Sequence, residues 1–178
     1  FCILLDNPVS RFIKEHTWAY VLYGITMAGV FEEVGRYFFM GKLMKRNRTR
    51  ENVVMYGIGH GGIEVWTVVL PLVLTYLMVA LGVDMGSPVP TDVQHSADTF
   101  NGMTGAIFVY ERIVAMLVHV LFTILVAYSL YTGKRKYLLY AIGSHMMLDI
   151  APAFYQCQVC SLTTCEWVIT LLAIVATF

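Results

Sequence analysis

The chain has 178 residues, of which 58% are hydrophobic and 13% are charged, and its mean hydropathy is +0.67. This balance is typical of an integral membrane protein and excludes an ordinary soluble domain. The formal net charge is zero and no basic stripe with interleaved aromatic residues occurs, so nucleic-acid binding is not expected. The composition predicts an all-α fold, a polytopic transmembrane helix bundle that forms one domain over residues 1–178.

Five apolar stretches are predicted to be membrane spans, because about 20 residues at 1.5 Å per residue cross the hydrocarbon. Ahead of the first, Pro8 is expected to interrupt any helix, which predicts a loop with an interfacial segment. A proline-containing acidic stretch over 83–101 is predicted to be a solvated connection. Because the chain starts at Phe1 and stops inside an apolar run, we expect a piece of a longer protein. The predicted spans are about 18–43, 52–81, 102–132, 137–155 and 167–178.

Two short basic loops give the predicted orientation. Lysine and arginine residues crowd 42–50 and 134–136, and the positive-inside rule places both loops in the cytoplasm. Two spans separate these loops, so the assignment is self-consistent, and the cysteines then lie outside. Cysteines on an external face can pair, so Cys157, Cys160 and Cys165 are candidates, with Cys2 as a fourth. Zinc binding by the Cys157-Gln-Val-Cys160 pair is the weaker alternative.

Two adjacent carboxylates and an arginine lie inside the first span, in the stretch FEEVGR. A charge at the bilayer centre costs roughly 2.5–3.5 kcal/mol, so such groups face a protein interior or a water-filled cavity and mark functional sites. Glu33 and Arg36, three residues apart, can meet as a buried ion pair, and an ion-paired carboxylate is a poor proton shuttle. Glu32 is therefore the better candidate for proton transfer. A second adjacent pair, Glu111 and Arg112, lies towards the outer side of its span and is interpreted as structural or interhelical.

Residue counts from the basic loops bring histidines to the depth of these carboxylates. At about 1.5 Å per residue, Glu32 lies roughly 15 Å from the cytoplasmic end of its span, His60 and His145 roughly 12 Å and His119 roughly 20 Å. An acid four residues after a histidine can orient its imidazole. His119 taken alone is as compatible with a satisfied polar group as with a ligand. The residues predicted to share one layer in the cytoplasmic half are Glu32, Glu33, His60, Glu64, His119, His145 and Asp149.

The order of these motifs resembles that of the YhfC family of intramembrane metalloproteases. The resemblance covers about 18–155 and is carried by Glu32-Glu33-x-x-Arg36, His60-x-x-x-Glu64, His119 and His145-x-x-x-Asp149. That family belongs to a superfamily with the type II CAAX prenyl endopeptidases, the PrsW proteases and, distantly, the anterior-pharynx-defective subunit of γ-secretase. The resemblance implies a multi-pass protein of the bacterial plasma membrane, with a membrane protein or peptide as substrate.

Residue roles also follow from the resemblance. It implies that Glu32 is the catalytic carboxylate, with Glu33 as its supporting neighbour and Arg36 as partner. The sequence departs from the CAAX enzymes, whose arginine usually lies one residue further on and which often have asparagine in place of Asp149. Tyr56 keeps the aromatic residue expected four positions before a histidine. Prenylated CAAX substrates are therefore not implied.

Peptide hydrolysis inside a membrane requires water, a base and positive charge at the developing oxyanion. We predict a metal site, most simply zinc, with Glu32 as the general base beside it. In a metal-free alternative, Glu32 activates water directly and a histidine stabilises the oxyanion. A proton or cation relay and a non-catalytic scaffold that binds transmembrane helices are alternatives of another class. The predicted ligands are His60 and His145 with His119 or Glu64 as the third. Asp149 is predicted to contact a ligand histidine without binding the metal itself.

Overall fold

The computed structural model describes residues 8–83, 86, 94, 97, 98 and 100–177. This part of the chain is helical and contains no strand, which confirms the all-α prediction. Cys2 and most of the predicted 83–101 connection lie outside the described residues. The helices are α1 (Pro8–Glu15), α2 (Thr17–Lys42), α3 (Arg50–Glu64), a π-helical turn (Val65–Val69), α4 (Leu70–Ala80), α5 (Gly102–Thr132), α6 (Lys136–Gln156) and α7 (Leu162–Thr177).

The first and last helices differ most from the sequence prediction. Pro8 does not interrupt a helix in the described chain, because Pro8–Glu15, where the sequence predicted a loop, is helical. Helix α7 begins at Leu162 rather than near 167. Its start is capped by Ser161, whose hydroxyl oxygen accepts the backbone N–H of Thr164 at 3.2 Å. The first turn of α7 contains polar residues, so its hydropathy is low and the hydropathy pattern does not show where the helix begins.

A π-helical turn separates α3 from α4. Pro71 lacks an N–H and its ring clashes with the carbonyl of the residue four positions earlier, which disfavours a regular α-helix at this point. The chain widens into the π turn Val65–Val69 instead. The Thr67 hydroxyl donates to the carbonyl oxygens of Ile63 and Glu64, at 3.0 and 3.2 Å, which satisfies backbone acceptors inside the apolar stretch. The irregular turn thus follows directly after a predicted site residue.

The described parts of 1–54 and 121–178 form one compact unit, and those of 55–120 form a second. In the first unit α2 packs along α6, α1 packs on α2 and α7 packs on α6. The α2–α6 contact is close at Gly29, where a Cβ atom would lie 3.1 Å from the backbone oxygen of Ile142. In the second unit a Cβ atom at Gly61 of α3 would lie 3.2 Å from the Cα of Met116 in α5. Small residues therefore let helix backbones approach closely within each unit.

Two of the described helical stretches are long and apolar enough to cross a membrane. They are Arg50–Ala80 and Gly102–Thr132, each of 31 residues, whose most apolar segments have mean hydropathies of 2.0 and 2.4. Helix α7 contributes a shorter apolar segment, Leu162–Ile174. Helices α2 and α6 carry ionisable residues that lower their hydropathy, and several of these are buried where the two helices meet. The number of spans, their orientation and the single-domain organisation stay predictions. No disulfide joins Cys157, Cys160 and Cys165 in the described chain.

Candidate functional site

A buried histidine lies among acids between α2 and α6 of the first unit. His145 is 5% exposed, and its Nδ1–H donates to Glu33 Oε1 at 2.7 Å. Because a carboxylate only accepts, this bond fixes the orientation of the ring. On the other side of the ring, Nε2 lies 3.5 Å from Asp149 Oδ2 and 3.9 Å from Glu32 Oε2. We name the group formed by Glu32, Glu33, Arg36, His145 and Asp149 the α2–α6 cluster.

The ion pair that the sequence spacing predicts is present in this cluster. Arg36 Nη1 donates to both carboxylate oxygens of Glu33, at 2.8 and 2.9 Å, and both side chains are completely buried. Glu33 therefore binds a guanidinium and an imidazole at once, and it links the helix that carries it to α6. Its position suits a residue that holds others in place.

The two adjacent glutamates differ in the exposure of their side chains. The side chain of Glu32 is 34% exposed, while that of Glu33 is fully buried. Asp149 resembles Glu32, with 31% of its side chain exposed. Glu32 and Asp149 are therefore partly exposed at the protein surface and Glu33 is not, and this difference is the physical basis for giving the two glutamates different roles.

Phe122 is a member of this environment that sequence reasoning missed. Its ring stacks on the His145 imidazole, with centroids 5.0 Å apart and an interplanar angle of 21°. Phe122 is 3% exposed, so it shields one face of the imidazole from solvent. The chain contains 10 phenylalanines, and no local pattern distinguishes this one.

A second group of ionisable residues lies between α3 and α5 of the second unit. The His60 and His119 rings have centroids 5.2 Å apart, and a ring nitrogen of each lies within 4.8 Å of one of the other. His119 Nε2 forms a hydrogen bond with Glu64 Oε2. Arg112 Nη1 donates to the other oxygen of Glu64 at 3.0 Å. We name the group formed by His60, Glu64, Glu111, Arg112 and His119 the α3–α5 cluster.

Arg112 has a larger part in this cluster than the sequence indicated. It does pair with Glu111, since its Nε and Nη2 donate to the two carboxylate oxygens of that residue. The same guanidinium also contacts Glu64, which in turn contacts His119. A signal for this was available, because Arg112 and His119 are seven residues apart and so lie on one face of α5. Tyr56 lies near His60, with ring centroids 6.2 Å apart.

The donor atoms of both clusters have the chemistry of transition-metal sites. Imidazole nitrogens suit zinc, copper, iron and nickel. Histidines that bind metals commonly donate their other ring N–H to a carboxylate, as His145 does to Glu33 and as the Nε2 of His119 faces Glu64. The residues present therefore fit a metal. The predicted site residues occur as two groups, Glu32, Glu33, Arg36, His145 and Asp149 in the first unit and His60, Glu64 and His119 in the second.

The helices and clusters together define a helical membrane protein with buried histidine–carboxylate groups of metal-binding type. The model of the YhfC intramembrane metalloprotease family matches residues 1–172, and the chain belongs to this family. The chain is 28% identical over 169 aligned residues to a Bacillus subtilis (strain 168) protein described as uncharacterized membrane protein YhfC. The match covers 86% of this chain and 64% of that relative, so the chain spans less than two thirds of its length. No solved structure matches the chain.

Proposed function

We propose that the chain contains the catalytic region of an intramembrane protease that hydrolyses a peptide bond with water activated by Glu32. Membership of a family described as intramembrane metalloproteases supports the reaction class. The observation that carries the residue roles is the buried hydrogen bond from His145 to Glu33, beside the more exposed Glu32. In this arrangement one carboxylate orients the imidazole and its neighbour is accessible to water.

Imidazoles of both clusters are the proposed metal ligands. Residue counts from the basic loops support a common membrane depth for His60, His119 and His145, in the cytoplasmic half. Glu64 is engaged by His119 and by Arg112, which favours His119 as ligand and Glu64 as the carboxylate that orients it. Zinc is the metal proposed, since hydrolysis needs no redox change. When bound, such an ion supplies Lewis acidity that polarises a carbonyl oxygen and makes water more acidic.

The chain's own residues divide the proton transfers between them. Glu32 takes a proton from water as the water oxygen adds to the scissile carbonyl carbon. Glu32 then gives this proton to the amine nitrogen as the C–N bond breaks. Glu33 does not exchange roles with Glu32, because it is buried and paired with Arg36. Asp149 Oδ2 lies 3.5 Å from His145 Nε2, so a partly exposed carboxylate lies beside the ring nitrogen that would bind the metal. The proposed substrate is a membrane protein or peptide that enters a polar cavity between the helices.

Mass spectrometry of newly formed N-termini tests this function without knowledge of the substrate. Membranes of a bacterial host that expresses the full-length protein are compared with those that express Glu32→Gln, and Glu15→Gln on exposed α1 serves as the matched control. We expect a set of membrane-protein N-termini that is present with wild type and the control and absent with Glu32→Gln. Identical N-termini in all samples, with equal expression, would refute proteolysis and favour a proton relay or a scaffold.

Treatment with a membrane-permeant chelator separates the two proteolytic mechanisms. Loss of the Glu32-dependent N-termini on chelation, and their recovery on addition of zinc, is expected for a metal-dependent enzyme. Cleavage that persists without metal would instead support direct activation of water by Glu32, with a histidine at the oxyanion.

A further inference from the structure

We propose that Arg112 is a positioning residue that holds His119 in its ligand orientation by acting through Glu64, and that Glu111 anchors Arg112 from the opposite side. This inference rests on the proposed function in one respect, the role of His119 as a metal ligand. It gives a role to the Arg112–Glu111 ion pair, whose residues are not part of the YhfC motifs in this sequence.

The contacts form a continuous chain within the second unit. The Nε and Nη2 edge of Arg112 binds both oxygens of Glu111. Its third nitrogen, Nη1, donates to Glu64 Oε1 at 3.0 Å. The remaining oxygen of Glu64, Oε2, forms a hydrogen bond with His119 Nε2. Each carboxylate oxygen of Glu64 thus has a different partner, so Glu64 joins Arg112 to His119.

The exposure of these side chains explains why Glu64 needs an anchor. The Glu64 side chain is 32% exposed, whereas those of Arg112 and Glu111 are 20% and 13% exposed and that of His119 is 7% exposed. A glutamate at such a site has several rotamers, and confining it to one costs conformational entropy. A guanidinium held at one edge by Glu111 presents its remaining N–H groups in a fixed plane. Arg112 therefore selects the rotamer in which Glu64 faces His119.

The orientation of His119 then follows from Glu64. Since a carboxylate accepts hydrogen bonds, the proton of the neutral imidazole is placed on Nε2. A metal would bind through the other ring nitrogen, Nδ1, as in metal sites where a carboxylate fixes the tautomer of the ligand. Close packing supports this geometry, because the short Gly61–Met116 approach brings the end of α3 to the face of α5 that carries Arg112 and His119.

Lysine at position 112 separates positioning from simple charge neutralisation. Arg112→Lys keeps the positive charge next to Glu64 and Glu111 but replaces the fork with a single ammonium that cannot hold both carboxylates in one plane. If Arg112 served only to neutralise buried acids, lysine would substitute for it. The double variant Glu111→Gln/Arg112→Gln removes one charge of each sign and so leaves the net charge of the cluster unchanged, while Glu64 loses its contact with Arg112.

The test uses the purified, untagged, full-length protein in detergent and compares wild type with both variants and with Arg135→Gln, an exposed control in a basic loop. Zinc affinity is measured by competition with a fluorescent zinc chelator, and the histidine tautomers of the metal-free protein are read from ¹⁵N-histidine NMR spectra. His119→Asn identifies the His119 signals. We expect a zinc affinity 10- to 100-fold lower in both variants, loss of the Nε2–H signature of His119, unchanged helical circular dichroism and an unaltered control.

Two results would overturn the inference. One is wild-type zinc affinity in Arg112→Lys, whatever the double variant does, because a lysine would then substitute for the guanidinium. The other is an unchanged His119 tautomer in both variants, which would show that Glu64 needs no anchor. If the wild-type protein binds no zinc, the metal-dependent function fails, and the NMR comparison still decides whether Arg112 positions His119.

Discussion

Glu33→Gln is expected to destabilise the protein by about 3–5 kcal/mol, because it removes the carboxylate that binds the buried Arg36 guanidinium through two hydrogen bonds. In the native pair Nη1 lies 2.8 Å from Oε1 and 2.9 Å from Oε2. With an effective dielectric constant of about 20, unit charges 2.8 Å apart attract by about 6 kcal/mol. The desolvation of two ions offsets most of this attraction, so the intact pair adds little net stability. In the Glu33→Gln variant the Arg36 guanidinium retains its desolvation cost and loses this attraction.

A double variant isolates the charge from the shape of the side chain. Glu33→Gln/Arg36→Met removes both buried charges, while the glutamine carbonyl still accepts the hydrogen bond from His145. Its stability is expected to lie within about 2 kcal/mol of wild type. Denaturant unfolding in detergent micelles, followed by the emission of the three tryptophans, measures both changes, with exposed Glu15→Gln as the control. The reasoning is refuted if Glu33→Gln costs less than about 1 kcal/mol, or if the double variant is as unstable as the single one.

Two further predictions concern glycines at close helix contacts. Gly29→Ala should lower stability by about 1–3 kcal/mol, because its Cβ would lie 2.6 Å from a side-chain atom and 3.1 Å from a backbone oxygen of α6. The Cβ of Gly35→Ala on the same helix would meet nothing within 4 Å, so this variant should be neutral or stabilised by up to about 1 kcal/mol. Thermal unfolding of the Gly29→Ala and Gly35→Ala variants measures the difference, and equal melting temperatures would contradict it. Gly61→Ala, with its Cβ 3.2 Å from a backbone atom of α5, should weaken zinc binding several-fold, whereas Gly62→Ala, with open space around it, should not. Equal zinc affinities of these two variants, measured by chelator competition, would count against the close contact.

The helices were predictable from the sequence because the apolar stretches are long and are bounded by basic loops. The start of α7 at Leu162 depended on an end effect that hydropathy does not record, the capping of the helix by Ser161. The π turn was also missed. Pro71 indicated a bend, but which backbone hydrogen bonds would be rearranged depends on local geometry.

Contacts between side chains of one helix were also predictable from the sequence. Spacings of three and four residues placed Glu33 beside Arg36 and His145 beside Asp149, and the structure has both contacts. Contacts between helices were not available from spacing. Glu64 contacts Arg112 and His119, 48 and 55 positions away along the chain. The sequence identified the chemistry of these residues, and only their packing revealed which of them interact.

The most direct test of the central claim is the metal content of the detergent-purified, untagged protein, measured by plasma mass spectrometry beside His60→Ala and His145→Ala. A metal-dependent protease site predicts close to one zinc per wild-type chain and clearly less in both variants, with helical content unchanged. Metal-free wild-type protein that retains Glu32-dependent cleavage would contradict the metal site and leave a glutamate mechanism without metal.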